Sequence, residues 1–389
     1  MTDIDTQARI DTVQAVDVTL PYDPPFRSAW QPHLEQRSRP MTFAKLVAGD
    51  GIVGWGATGG HHAAFIRERV APLLVGQDLF AAERHAARLR QAAREAGGAA
   101  NPLAVDLAQW DAIGKAVGQP LHRLWGVYAG RVPAYASTVA AKRPEERGED
   151  ALRYLEMGFQ AIKLRAHYPT FEEDVAVVRL VRQAVGDRMA IMVDANQAGT
   201  NPATAGPDEV VWDLDRARRT ADAYAEYGVT WLEEPLYRER LDDLARLCAD
   251  ATVPIAGGEG DRGLDRFRDL VERDCYDILQ PDCTTSDGLF QLRKIAALAE
   301  VHGKPCIPHH GVGALGLAAH LQLSATLPNC PWVEYILDPP WRTVESYLGM
   351  WGIVPEPPRV EPDGCVPVPQ GPGLGMAVDE TALARWTVP

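Results

Sequence analysis

Between Lys163 and Glu334, three short apolar runs each close on an acidic residue: Ile191-Met192-Val193-Asp194, Trp231-Leu232-Glu233-Glu234 and Ile255-Ala256-Gly257-Gly258-Glu259. A carboxylate at the end of a buried strand is costly unless something neutralises it, and three facing one another repel unless a cation sits between them. A divalent metal held by Asp194, Glu233 and Glu259 is the simplest arrangement that meets this demand. The fold must then bring the three strand ends together. From Val132 onward the chain alternates strand and helix, with strands predicted at 133–140, 159–165, 189–194, 229–233, 254–258, 276–281, 304–308 and 331–335. Helix-length stretches such as Arg143 to Met157 and Glu172 to Val185 separate most of them. This α/β rhythm predicts a TIM-type barrel, because no G-x-G-x-x-G follows a first strand as a doubly wound sheet would have it.

The first part of the chain has a different pattern. Val16, Val18 and Leu20 alternate with Asp17 and Thr19, the period of a half-buried strand. Thr42 to Val47 and Ile52 to Gly56 supply two more strands, the last after the turn Gly49-Asp50-Gly51. Helices are predicted near 62–74, 80–96 and 102–118, the last ending at Gly118-Gln119-Pro120. Strands followed by helices make an α+β domain, 1–130, which the Pro- and Gly-rich C-terminal segment of about 350–389 returns to complete; the barrel occupies 131–349. The stretch 199–213 reads as a surface excursion. Loops at 22–30 and 58–62 offer Tyr22, Arg27, Trp30 and His61 as candidate ligand contacts.

The formal charge of −14 argues against nucleic acid or anionic membrane as a partner. No apolar run nears the length of a membrane span, and the start Met1-Thr2-Asp3-Ile4-Asp5 is acidic and polar, so a cytoplasmic protein is expected. Six scattered cysteines without a C-x-x-C pair are expected to be reduced.

In a barrel of this kind, polar residues at the C-terminal ends of strands meet at one mouth. Asp194, Glu233, Glu259, Asp282, His309 and Glu334 all fall at such ends. Each alone fits a helix cap or a loop ion pair; six successive strand ends together favour a site. The period of two places Lys163 and Arg165 on the same inward face, suited to binding an anion. Asp282 is placed to hold the His309 ring and raise its basicity. Of His309 and His310, alternation lets one point inward.

The series Lys163-Leu164-Arg165, Asp194-Ala195-Asn196-Gln197, Glu233-Glu234-Pro235, Gly258-Glu259, Pro281-Asp282, His309 and Glu334 resembles the enolase superfamily, specifically its mandelate racemase subgroup. Asp106 to Lys115 and Gly118-Gln119-Pro120-Leu121 resemble the stretch that precedes the barrel there. The resemblance implies a modified (β/α)7β TIM barrel with an α+β capping domain. It also implies Mg²⁺ as cofactor and abstraction of the proton α to a carboxylate of a small-molecule substrate, in a homo-oligomer. Such enzymes use a Lys or His base with Mg²⁺ stabilising the ene-diolate. By resemblance Asp194, Glu233 and Glu259 are the metal ligands, Glu334 stands near the substrate carboxylate, and Asn196 joins the candidate substrate contacts.

Where the family commonly has a Lys, this chain has Arg165, whose guanidinium is a poor base. His309 then leads as base, with Lys163 the other candidate should Arg165 beside it lower its pKa. A racemase needs a competent group on each face of the α-carbon, whereas elimination of water can use one His twice. Dehydration of a sugar acid to a 2-keto-3-deoxy acid is therefore the favoured reaction. Racemase, epimerase and lactone cycloisomerase on the same scaffold remain alternatives, as does a catalytically idle protein binding metal and carboxylate.

Overall fold

The alternating N-terminal run forms β1, Ile10–Phe26, in a computed structural model that describes residues 8–207 and 209–388. It pairs antiparallel with β2, Gln36–Ala48, which pairs antiparallel with β3, Ile52–Gly59. The helix Leu103–Ala116 lies against this sheet, and glycine lets it come close. A Cβ at Gly56 would run into the Ala104 carbonyl oxygen, and one at Gly54 into that of Ala108. The second predicted helix spans Ala82–Glu95; the first is the succession Ala63–Phe65, Ile66–Val70 and Ala71–Leu74, a π-helical turn between two α-helical ones.

Asp106, on the buried helix, accepts a hydrogen bond from the Leu289 amide at 2.8 Å across the junction with the barrel. Burial raises its carboxyl from 3.8 to about 7, against that hydrogen bond and with help from the nearby Asp287 charge. A carboxyl whose folded pKa is raised contributes stability below its unfolded pKa and loses it as pH rises through the folded value. Unfolding free energy should therefore fall by up to about 4 kcal/mol between pH 4 and 7 on account of this group. Urea titrations across that range are expected to show a shallower slope for Asp106→Asn than for the parent.

The barrel strands are β4 (Arg131–Ser137), β5 (Ala161–Arg165), β6 (Ala190–Asp194), β7 (Val229–Glu233), β8 (Ile255–Gly257), β9 (Ile278–Leu279) and β10 (Val333–Ile336). They are parallel and ordered β10-β4-β5-β6-β7-β8-β9, so the last strand lies beside the first. The fold is the expected modified TIM barrel with an α+β cap. The strand predicted at 304–308 is a correction: that stretch makes one isolated bridge, Cys306 to Leu279. Pro305 and Pro308 lack the N–H groups a ladder needs. Ile307 N still donates to Leu279 O at 2.8 Å and His309 N to Pro281 O at 3.1 Å, which carries His309 to the strand ends. Strand β9 is likewise shorter than the predicted 276–281.

The C-terminal return serves both parts. Strand β11, Cys365–Pro367, pairs antiparallel with β4, while the helix Glu380–Trp386 buries Leu383 with Val18 and Leu20 of β1. All six cysteines are free thiols. Among the described residues no helix is long and apolar enough to cross a membrane.

Candidate active site

Asp194 and Glu233 are the last residues of β6 and β7, paired in register, and Glu259 follows β8 by two residues. One carboxylate oxygen from each lies within 4.8 Å of the others. Asp194 and Glu233 are fully or almost fully buried. Burial, then the neighbouring Glu233 charge, pushes the Asp194 carboxyl up despite Arg165 and Lys163 beside it. Glu234 is pushed up too, by burial, then by Glu259 and Asp194. Negative charge is thus in excess where the three oxygens converge. A hard divalent cation with oxygen ligands fits this donor set.

The backbone is strained beside the ligand positions. Asn196 (φ 50°) and Glu234 (φ 45°) adopt the left-handed conformation, each two or fewer residues from a strand-end carboxylate. In that conformation the Asn196 amide donates to Asp194 Oδ1 at 2.7 Å and its side-chain amide to Oδ2 at 2.9 Å, fixing the carboxylate.

His309 faces the cluster. Its Nδ1 lies 2.8 Å from Asp282 Oδ2, its Nε2 3.1 Å from Glu259 Oε2 and 3.9 Å from Glu334 Oε2. Asp282 is buried and accepts 2.6 Å hydrogen bonds from Thr284 N and Oγ1, so the imidazole is held by a group that is itself held. Burial alone would lower the His309 pKa; Glu259, Glu334 and Asp282 outweigh it and raise the ring to about 10. His310 turns away, its Nε2 against Gly313 O at 2.8 Å.

Lys163 is fully buried, donating to Glu233 Oε1 at 2.6 Å and lying 2.9 Å from Glu334 Oε1. Arg165 does act to lower its pKa, but the net lowering that would make Lys163 a base is corrected. Although burial acts downward, Glu233, Glu334 and Asp194 together overcome it and Arg165, and the ammonium is held above its ordinary value. Arg165 pairs with Asp194, donates to Thr138 O at 2.6 Å and stacks under Trp30, its Cζ 5.3 Å from the ring centroid. Glu334 is buried beneath, accepting from Ser137 Oγ at 2.6 Å and from the His310 amide at 2.9 Å.

A cavity of about 560 Å³ opens over this cluster. Trp30, Arg165, Asn196, Glu259 and His309 line it. Tyr22, Arg27 and His61 do not, which corrects those three candidates. Tyr22 is buried in β1 beneath Arg342, with the guanidinium carbon 4.7 Å from its ring centroid. Arg27 turns back to the carbonyls of Pro32 and His33 and to Glu35. His61 is tied to Val18 O and Thr19 Oγ1 of the capping sheet. The excursion at 199–213 is also more than surface, since Thr200, Asn201 and Thr204 line the cavity. Arg238, Arg342 and Tyr347 complete the wall from positions the sequence left unmarked, in segments without periodicity. Glu234, inside the Glu-Glu-Pro motif, carried the one legible signal among the missed residues.

Residues 10–126 match the N-terminal domain of the mandelate racemase / muconate lactonizing enzyme family, and residues 146–382 its enolase C-terminal domain-like partner. The chain belongs to that family, within the enolase superfamily. Among curated relatives, it is 31% identical to D-galactarolactone cycloisomerase of Agrobacterium fabrum, over 94% of this chain and 96% of that one. It is 28% identical to arabinonate dehydratase of Saccharolobus solfataricus, over 91% and 92%. Among solved structures, L-talarate dehydratase from Polaromonas sp. JS666 complexed with Mg and L-glucarate superposes with a TM-score of 0.82 at 27% identity, covering 98% of each chain. The relatives of this superfamily member thus include sugar acid dehydratases and a cycloisomerase.

Proposed function

We propose that this enzyme removes the proton α to the carboxylate of a sugar acid and eliminates water to give a 2-keto-3-deoxy acid. The observation that carries this reading is the His309–Asp282 pair set directly beside the converging oxygens of Asp194, Glu233 and Glu259, with His309 and Glu259 open to one cavity. Those three carboxylates would hold Mg²⁺, which when bound supplies Lewis-acid stabilisation of the negative charge developing on the substrate carboxylate. Glu259 is the foremost of the charges that hold the proton on His309, and with its carboxylate engaged by the cation the ring would be free to take the α-proton at Nε2, with Asp282 on Nδ1 fixing the ring and stabilising the imidazolium. The same Nε2 then returns the proton to the departing hydroxyl. Lys163 and Arg165 stay protonated in their ion pairs and balance the charge that arrives; neither offers a free base to the opposite face, which favours elimination over racemisation. Asn196 positions Asp194, and Trp30 covers Arg165. The same reading has the enzyme work in the cytoplasm as a homo-oligomer.

The 31% identity to a lactone cycloisomerase favours one second reading, in which the substrate is a sugar lactone. A library of open sugar acids and their lactones, incubated with enzyme and Mg²⁺ and developed with semicarbazide for 2-keto products, separates the two. Dehydration predicts 2-keto product from an open acid. Silence from every open acid with consumption of a lactone supports the second reading, and silence from both removes the proposal.

A further inference from the structure

Among the described residues, Arg342 has no ion-pair partner. It sits in the turn where Asp338 N donates to Arg342 O and Arg342 N to Asp338 O, and its guanidinium reaches the wall of the active-site cavity. The residue is 7% exposed. Its Nε and Nη1 are buried and make no hydrogen bond, and no carboxylate lies within salt-bridge distance among the described residues. Aromatic rings surround it: Tyr347 at 4.4 Å from Cζ to centroid, Tyr22 at 4.7 Å and Phe26 at 5.2 Å. Ring faces attract a cation and hold the fork in place, but they accept none of its N–H groups. Arg39 stacks on the same Tyr347 ring at 4.4 Å and also has an unpartnered Nη1, so positive charge accumulates here.

The buried guanidinium of Arg147 shows the contrast. Arg147, 1% exposed, donates to Asp338 through Nη1 and Nη2 and to Asp150 through Nη1, each at 2.8 Å. The other arginines of the cavity are engaged as well: Arg165 pairs with Asp194, and Arg238 donates through Nε to Ala198 O at 3.0 Å. A buried unpaired charge is retained where a ligand completes it. The planar fork matches a carboxylate, two parallel N–H groups meeting two oxygens.

We propose that Arg342 receives a second carboxylate of the substrate, so that the preferred sugar acid is a diacid. This rests on the reading above, in which the first carboxylate is drawn to the Asp194, Glu233 and Glu259 end of the same cavity. Arg342 is then a specificity-determining residue, and Tyr22 acts through it by bearing on the guanidinium.

Calorimetric binding of adipate and hexanoate to the Mg²⁺-loaded enzyme reads the second carboxylate without any turnover. Adipate is expected to bind at least about tenfold more tightly than hexanoate, the effect of a charge-assisted fork. Arg342→Met, which keeps the stem between the rings, should bring the ratio to about one, and Arg342→Lys should leave it in between. Turnover gives the second arm: kcat/KM is expected to favour a sugar diacid over the monoacid of matching configuration, with Arg342→Met erasing the preference mainly through KM. Equal binding of adipate and hexanoate by the parent overturns the proposal, as does an unchanged ratio in Arg342→Met or a preference for a phosphorylated monoacid. These results leave the reaction itself standing. Adipate discrimination with no turnover of any sugar acid or lactone would instead remove the reaction and keep the carboxylate subsite.

Discussion

His309→Asn is expected to lower kcat for the sugar acid by about 10³-fold, the scale of a lost general acid–base group that serves two proton transfers. The loss belongs to the chemistry because little else changes. Asp282 keeps its hydrogen bonds from Thr284 N and Oγ1, and the asparagine amide can still donate to its carboxylate. Thermal unfolding and Mg²⁺ affinity measured alongside should stay close to the parent. His310→Asn, at the next residue of the same backbone but turned toward Gly313, is expected to leave proton abstraction far less affected; stopped assays of 2-keto product compare the two.

Glu233→Gln carries the second large effect, on metal binding. Removing one of three converging carboxylates should weaken Mg²⁺ by more than the roughly 10- to 100-fold typical of losing a group that merely supports a ligand. The parent is expected to gain about 2.7 kcal/mol of unfolding free energy at a Mg²⁺ concentration one hundred times its dissociation constant, and the variant to gain almost nothing at that concentration. Glu233 also holds Lys163, which retains Glu334 at 2.9 Å, so the lysine is not left without a counter-charge and the variant should fold. Chelation of the parent should mimic the variant. Urea melts with and without Mg²⁺ read both effects.

What the sequence made legible was chemistry placed at the ends of regular elements. Asp194, Glu233 and Glu259 stand out because a carboxylate closing an apolar run has no packing reason to be there, and the strand period put Lys163 and Arg165 on one face. The barrel followed from the same alternation. The strand expected at 304–308 from the strand–helix alternation fails on Pro305 and Pro308, which deny it a ladder and stand in the sequence as the signal against it. The walls of the cavity were much harder to read. Trp30 reaches it but Tyr22 and Arg27, in the same stretch, do not, because β1 runs on to Phe26 and buries Tyr22. Thr200, Arg238, Arg342 and Tyr347 lie in segments whose placement depends on tertiary contacts, which leave no local period. The Lys163 pKa went the other way from expectation for a related reason: Arg165 is its neighbour in sequence, while Glu233 and Glu334 are its partners only in space.

The most direct test is to incubate the sugar acid that the library selects with Mg²⁺ in D₂O and follow the α-proton by NMR, using the parent and His309→Asn. The parent is expected to remove the α-proton and form 2-keto product, chelation to stop it, and His309→Asn to leave the α-proton in place. Loss of the α-proton at the parental rate in His309→Asn, or in the fully chelated parent, would contradict this mechanism.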